Sequence, residues 1–197
     1  MPPYLVLDAC VLMSGVLRPW LLTLGDLGLL KPVWSDRIGE EWRRNAARIW
    51  AIPVDVLDQE WQSMNQRFSR ANVSSWVDQA VYPPPPLKHS DPKDWHVITA
   101  GHWAKQADPS SPVGVLTLNL KDFRRSELRH LELDLWGPDK LLTTWWLAHA
   151  ETLASTLQQT IEDLIVTGRR ERAPIEDFLR RERLFQFRKL YQQACNS

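Results

Sequence analysis

The stretch Tyr4-Leu5-Val6-Leu7-Asp8 sets four apolar residues directly against a carboxylate, and Ala9-Cys10-Val11-Leu12 follows at once. A short apolar run without polar alternation reads as a strand buried on both faces, which is the habit of parallel strands in α/β sheets. In such sheets ligands bind beyond the carboxyl ends of the strands, so Asp8 stands where a metal or substrate ligand belongs. The same position suits the N-cap of a following helix, and taken alone Asp8 favours that plainer reading. The choice turns on whether other acids reach the same edge.

Composition bounds the answer. A chain of 197 residues is long enough for one main domain with an appendage. Its 24 basic and 24 acidic side chains cancel, so a grip on nucleic acid must come from local patches and not from a global field. Cys10 and Cys195 lie near opposite ends without metal-ligand spacing, which suits a reducing compartment. With no signal-like leader and no apolar run of membrane-spanning length, the expectation is a soluble cytoplasmic protein with no membrane association. Of the eleven tryptophans, Trp42, Trp50 and Trp61 fall at helical spacings beside apolar residues and read as core. Trp95 stays open between packing and function.

Along the chain, residues 9–17 read as a first helix and Pro19 as the opening of a second. Val33-Trp34 reads as a short second strand. Ser35 is a natural N-cap for a helix over 36–49, in which Ile38, Glu41, Trp42 and Asn45 share one face and Glu40 points to solvent. Pro53 opens a helix to about residue 70 with Val54, Leu57, Trp61, Met64 and Phe68 on its apolar side. The run Pro83-Pro84-Pro85-Pro86 reads as a rigid loop. Asp91, Pro92 and Asp94 suit the N-cap, the first position and the first turn of the next helix, so capping accounts for both acids as readily as chemistry does. Residues 113–118 form a second candidate central strand, ending in Asn119 and Asp122 among Lys121, Arg124 and Arg125. Residues 131–136 read as an edge strand, and Gly137-Pro138-Asp139 starts a helix running to about 166. Alternating strands and helices describe a doubly wound α/β fold with a parallel sheet flanked by helices. We expect residues 1–148 to form that domain and 149–197 an α-helical C-terminal extension. From residue 168 onward eight basic residues stand against four acidic ones, either a solvated helix face or an RNA or partner surface.

The acids now stand in a definite order: Asp8 after the first strand, Glu41 on an early helix, Asp94 at a helix start and Asp122 after a later strand. With the strings Leu-Asp-Ala-Cys-Val-Leu, Asp-Pro-Lys-Asp-Trp-His-Val-Ile-Thr-Ala and Thr-Leu-Asn-Leu-Lys-Asp-Phe, that order resembles a PIN domain, and within that family the VapC-like toxin ribonucleases of bacterial toxin–antitoxin pairs. The resemblance covers roughly residues 3–145. It implies a PIN-like fold, a metal-dependent endoribonuclease leaving 5′-phosphate and 3′-hydroxyl ends, an RNA substrate, a cognate antitoxin partner and a homodimer. Carried over residue by residue, it places catalytic and metal-binding roles on Asp8, Glu41, Asp94 and Asp122. Asn119 stands where many members have a further aspartate. His96 matches a histidine often seen two residues after the third acid, with a packing role as good an account of it. Cys10, a weak donor, stands where a small polar residue is usual. The chemistry needs these types: Mg²⁺ and Mn²⁺ are hard cations that prefer carboxylate and water oxygens. Arg43, Arg44, Lys121, Arg124 and Arg125 are the candidate nucleic-acid contacts. The competing function is a catalytically silent PIN-like module that binds RNA or protein. A thiol phosphatase built on Cys10 is set aside, since Val11-Leu12-Met13 gives no phosphate cradle.

Overall fold

A strand pairs with each edge of β1 (Tyr4–Leu7), and Leu5, Val6 and Leu7 are all buried although successive residues point to opposite faces of the sheet. This is seen in a computed structural model that describes residues 3–75 and 85–195, the side chain of Cys195 excepted. Two of the prolines at 83–86, Pro83 and Pro84, lie outside the described residues. β2 (Lys31–Val33) lies on one side of β1 and β3 (Val113–Leu116) on the other, with β4 (Leu133–Trp136) at the far edge. The sheet has four parallel strands in the order β2-β1-β3-β4. The chain moves from β1 to one neighbour and then jumps back past β1 to build the other half. The topological switch point therefore falls between β1 and β3, and the register sets Leu7 beside Leu116 at its carboxyl edge.

Helices flank the sheet. The first helix, expected over 9–17, ends early as α1 (Ala9–Leu12), and the second, expected to open at Pro19, starts two residues sooner as α2 (Leu17–Asp26). The reason is Ser14, whose hydroxyl accepts the backbone N–H groups of Val16 and Leu17, so Pro19 falls in the first turn and not at its opening. α3 (Asp36–Trp50) begins where expected, with Ser35 Oγ accepting the N–H of Ile38. In α4 (Val54–Arg67), Leu57, Trp61 and Met64 are buried as expected, but Val54, in the first turn, is 58% exposed. α5 (Trp95–Ala107) lies across all four strands. α6 (Arg125–His130) leads into β4. Strand boundaries are tighter than the apolar runs suggest, since Trp34 makes only an isolated bridge to Asn72 and Thr117 and Leu118 turn out of the sheet to serve a loop.

α7 (Pro138–Val166) runs 29 residues and bends at His149, whose φ of −137° and ψ of 29° leave the helical region. α8 (Ile175–Arg181) and α9 (Phe185–Cys195) complete the helical C-terminal part. These helices pack into the same apolar core as the sheet. Trp20 donates its indole N–H to Thr156 Oγ1 at 2.9 Å and meets Phe187 edge-on at 5.4 Å. Asp139 accepts the backbone N–H groups of Gln186 and Phe187, fastening the start of α9 to the start of α7. Among the described residues, no helix is long and apolar enough to cross a membrane.

Candidate active site

The switch point delivers Asp8 from the end of β1 and Thr117 from the end of β3. Asp8 occupies the N-cap position of α1 yet makes no side-chain capping bond. Its carboxylate is 3% exposed and turns the other way: Thr117 Oγ1 donates to Oδ2 at 2.6 Å and Cys10 Sγ donates to the same oxygen at 3.0 Å. Among the described residues no hydrogen bond ends on Oδ1. Cys10 thus supports Asp8 and links it to the next loop, accepting the N–H of Leu118 at 3.2 Å. Burial, then the adjacent Asp8 charge and the hydrogen bond to it, push the Cys10 thiol up to about 12. A thiol held protonated is a poor nucleophile, which counts against the phosphatase alternative.

The two acids at the start of α5 separate cleanly. Asp91 accepts the N–H of Lys93 at 3.0 Å and so caps the short 3₁₀ turn Pro92–Asp94, which stands where an α-helical first turn was expected. Asp94 sits at the N-cap of α5 and makes no capping bond. Its carboxyl is pushed up to about 6 by burial first and then by the negative charges of Asp8, Asp122, Asp91 and Glu41. Asp94 thus feels the charge of the other three sequence-predicted acids.

Residues that sequence reasoning overlooked hold Asp94 and Asp122 together. Asp91 donates its backbone N–H to the carbonyl of Asp122 at 2.8 Å, and Arg124 donates its own to Ser90 Oγ at 2.8 Å. Glu127, on α6, accepts the backbone N–H groups of Lys88, His89 and Ser90 at 2.6, 2.8 and 2.8 Å. Partial desolvation raises the Glu127 carboxyl, but these N–H groups and the Ser90 hydroxyl outweigh it and hold the pKa at about 2. Trp95 donates its indole N–H to the Ser90 carbonyl at 2.9 Å, so it clamps the same turn while remaining 36% exposed. Thr117 lies inside a string read for its acids, and a threonine after an apolar run carries no signal of its own. Nor does Glu127, whose partners are backbone groups far upstream.

Glu41 is half-buried on α3, with its Oε2 3.1 Å from Nε2 of the nearly buried His96. The contact is an ion pair when His96 is protonated, although its angles fall short of a hydrogen bond among the buried groups. His96, followed by burial acting in opposition and then by Arg44 and Arg37, leaves the Glu41 carboxyl below its ordinary range. Asn119 is exposed, and its backbone N–H donates to Thr117 Oγ1 at 3.0 Å. Asp122 closes the 3₁₀ turn Leu120–Asp122.

The basic candidates divide. Lys121, Arg124 and Arg125 line a shallow groove of about 390 Å³ next to Asp122, joined by Arg129. Arg44 is exposed on α3 near Glu41. Arg43 instead pairs with Asp58 at 3.0 Å and lies over the Trp61 ring, engaged between α3 and α4.

The donor set, carboxylates with one amide nearby and a protonated thiol behind, suits a hard divalent cation. As placed, no three His, Cys, Asp or Glu side chains among the described residues are close enough together to hold a metal ion. No family model matches the chain, and neither a curated protein nor a solved structure is similar to it.

Proposed function

We propose that this chain is a Mg²⁺- or Mn²⁺-dependent endoribonuclease with a PIN-like fold, acting as the toxin of a toxin–antitoxin pair. The observation that supports the reading is that Asp94, at the start of α5, feels the negative charge of Asp8, Asp122 and Glu41. Acids that feel one another's charge are disfavoured in their ionised forms, and a hard cation drawn between them relieves that repulsion.

The chemistry that such a bound ion supplies is a more acidic water aligned with the scissile phosphodiester and neutralisation of the charge growing on its oxygens. The chain does the rest. Thr117 and Cys10 fix Asp8 through Oδ2, while Glu127 and Ser90 set the turn that carries Asp94 against the Asp122 loop. Lys121, Arg124 and Arg125 offer the phosphate backbone a cationic groove beside the acids. An antitoxin and a homodimeric partner belong to this reading through the family resemblance.

The purified protein with RNA and Mn²⁺ tests it. Cleavage should stop in EDTA and in Asp94→Asn; cleavage that continues unchanged in both defeats the proposal. The pairing of Glu41 with His96 favours the silent binding module as a second reading. That module takes up no Mg²⁺ or Mn²⁺ in calorimetry yet still retains RNA or a protein partner.

A further inference from the structure

A second cleft, lined by none of the four acids, opens between α2, α4 and the end of α7. We infer that it binds an amphipathic anion, a carboxylate carried on an alkyl or aryl body. Its volume of about 500 Å³ is that of a small-molecule site. Leu22, Trp50, Ile52, Met64 and Leu164 supply an apolar lining. Arg18, Arg169 and Arg170 supply the charge.

Arg18 is the anchor. It is only 8% exposed, lies 4.9 Å over the Trp42 ring and pairs with Glu60 at 2.8 Å. Even so, its Nη1 is buried without a hydrogen-bond partner among the described residues. A buried guanidinium N–H left unpaired is costly, and Arg18 lines the cleft together with Arg169 and Arg170, whose exposed guanidinium groups offer an anion further donors. Glu60 answers one arginine only. Arg169 and Arg170 are exposed and form no ion pair among the described residues, while the fourth lining arginine, Arg67, is already matched by Asp26. With Glu182, whose carboxyl feels Arg170, set against the four arginines beside Glu60 and Asp26, the cleft still keeps a surplus of positive charge next to its apolar lining.

The lining also selects the body of the ligand. Ser63 supplies the only hydroxyl or amide side chain among the described lining residues. Against the wall of Leu22, Trp50, Ile52, Met64 and Leu164 a nucleobase or sugar would leave polar groups unpaired, at a cost that a hydrocarbon body does not incur. The planar forks of the arginines match a carboxylate in two-point fashion.

Calorimetry on the full chain tests this with sodium decanoate, with butyrate as the anion lacking a long body and decyltrimethylammonium as the chain with the opposite charge. Decanoate should bind one to one, and both comparison compounds at least about tenfold more weakly. The exposed double variant Arg169→Gln/Arg170→Gln should weaken decanoate by about tenfold or more. Ile52→Asp, on the half-buried apolar wall, should do the same by setting a like charge against the carboxylate. Binding of decyltrimethylammonium as tight as decanoate, decanoate affinity unchanged in both variants, or no decanoate binding at all would overturn the assignment.

Discussion

Thr117, the residue after β3, donates its hydroxyl to Asp8, the residue after β1, at 2.6 Å with neither side chain open to solvent. The bond joins the two central strands at the point where the sheet changes direction. A charged acceptor makes it one of the stronger classes of hydrogen bond, and the same oxygen Oγ1 also accepts the N–H of Asn119. Thr117→Val keeps the shape and removes both functions. It should destabilise the protein by about 1–3 kcal/mol in urea titration, while Thr117→Ser recovers most of the loss. Equal stability of Thr117→Val and the parent would show that the bond carries no weight.

Glu127 gives the protein an acid-sensitive fastening. Its carboxyl sits at about 2 in the folded chain against 4.5 when free. A depressed carboxyl contributes stability that is fully present above the unfolded value and is lost as pH falls through the folded one. The loss therefore belongs to the window from about 4.5 down to about 2. Glu127→Gln should lower stability by about 1–3 kcal/mol at neutral pH, since a charged acceptor of several N–H groups is replaced by a single amide oxygen. Thermal melts across the window should converge for the two proteins as pH falls. Parallel melting curves at every pH would place the acid sensitivity elsewhere.

What the chain discloses in advance follows from how locally each feature is encoded. β1 and β3 are legible because strands buried on both faces leave unbroken apolar runs, and the acids are legible because strand ends and helix starts mark them out. The Ser14 break is hidden, because nothing in an apolar helix-like run announces a hydroxyl turned back on Val16 and Leu17. Glu127 is hidden because its partners are backbone groups 37 to 39 residues upstream, which no side-chain pattern records. Cys10 is hidden in its role, because a cysteine after a strand announces only a weak donor. Its thiol fills the supporting role through contacts with Asp8 and Leu118 that spacing alone does not reveal.

Gly39 lies in the middle of α3, where alanine would ordinarily favour the helix. A Cβ there would overlap the indole of Trp61. That ring has little room to withdraw, being packed at 5.6 Å against Trp34 and 6.2 Å against Trp42. Overpacking should outweigh helix propensity, and Gly39→Ala should cost about 1–3 kcal/mol in denaturant unfolding. A gain in stability would mean that α3 and α4 separate easily.

Asp94 should behave in the opposite sense from Glu127. Its carboxyl stands at about 6 in the folded protein and 3.8 when free. A raised carboxyl leaves the fold unaffected below the unfolded value, where both states are protonated; the penalty grows as pH rises between the two values and is complete above the folded one. Without divalent cation, Asp94→Asn should therefore stabilise the protein above about pH 6 and lose that advantage below about pH 4. Solvent screening at a half-buried site limits the gain to about 1 kcal/mol. Mn²⁺ reverses the comparison if the acids hold it, because a cation that binds the folded state raises the melting temperature of the parent more than that of a variant short of one carboxylate. Differential scanning fluorimetry across pH, with and without Mn²⁺, reads both effects. An Asp94→Asn protein less stable than the parent in EDTA at neutral pH would show that the acids do not repel one another, and would remove the electrostatic ground for placing a cation among them.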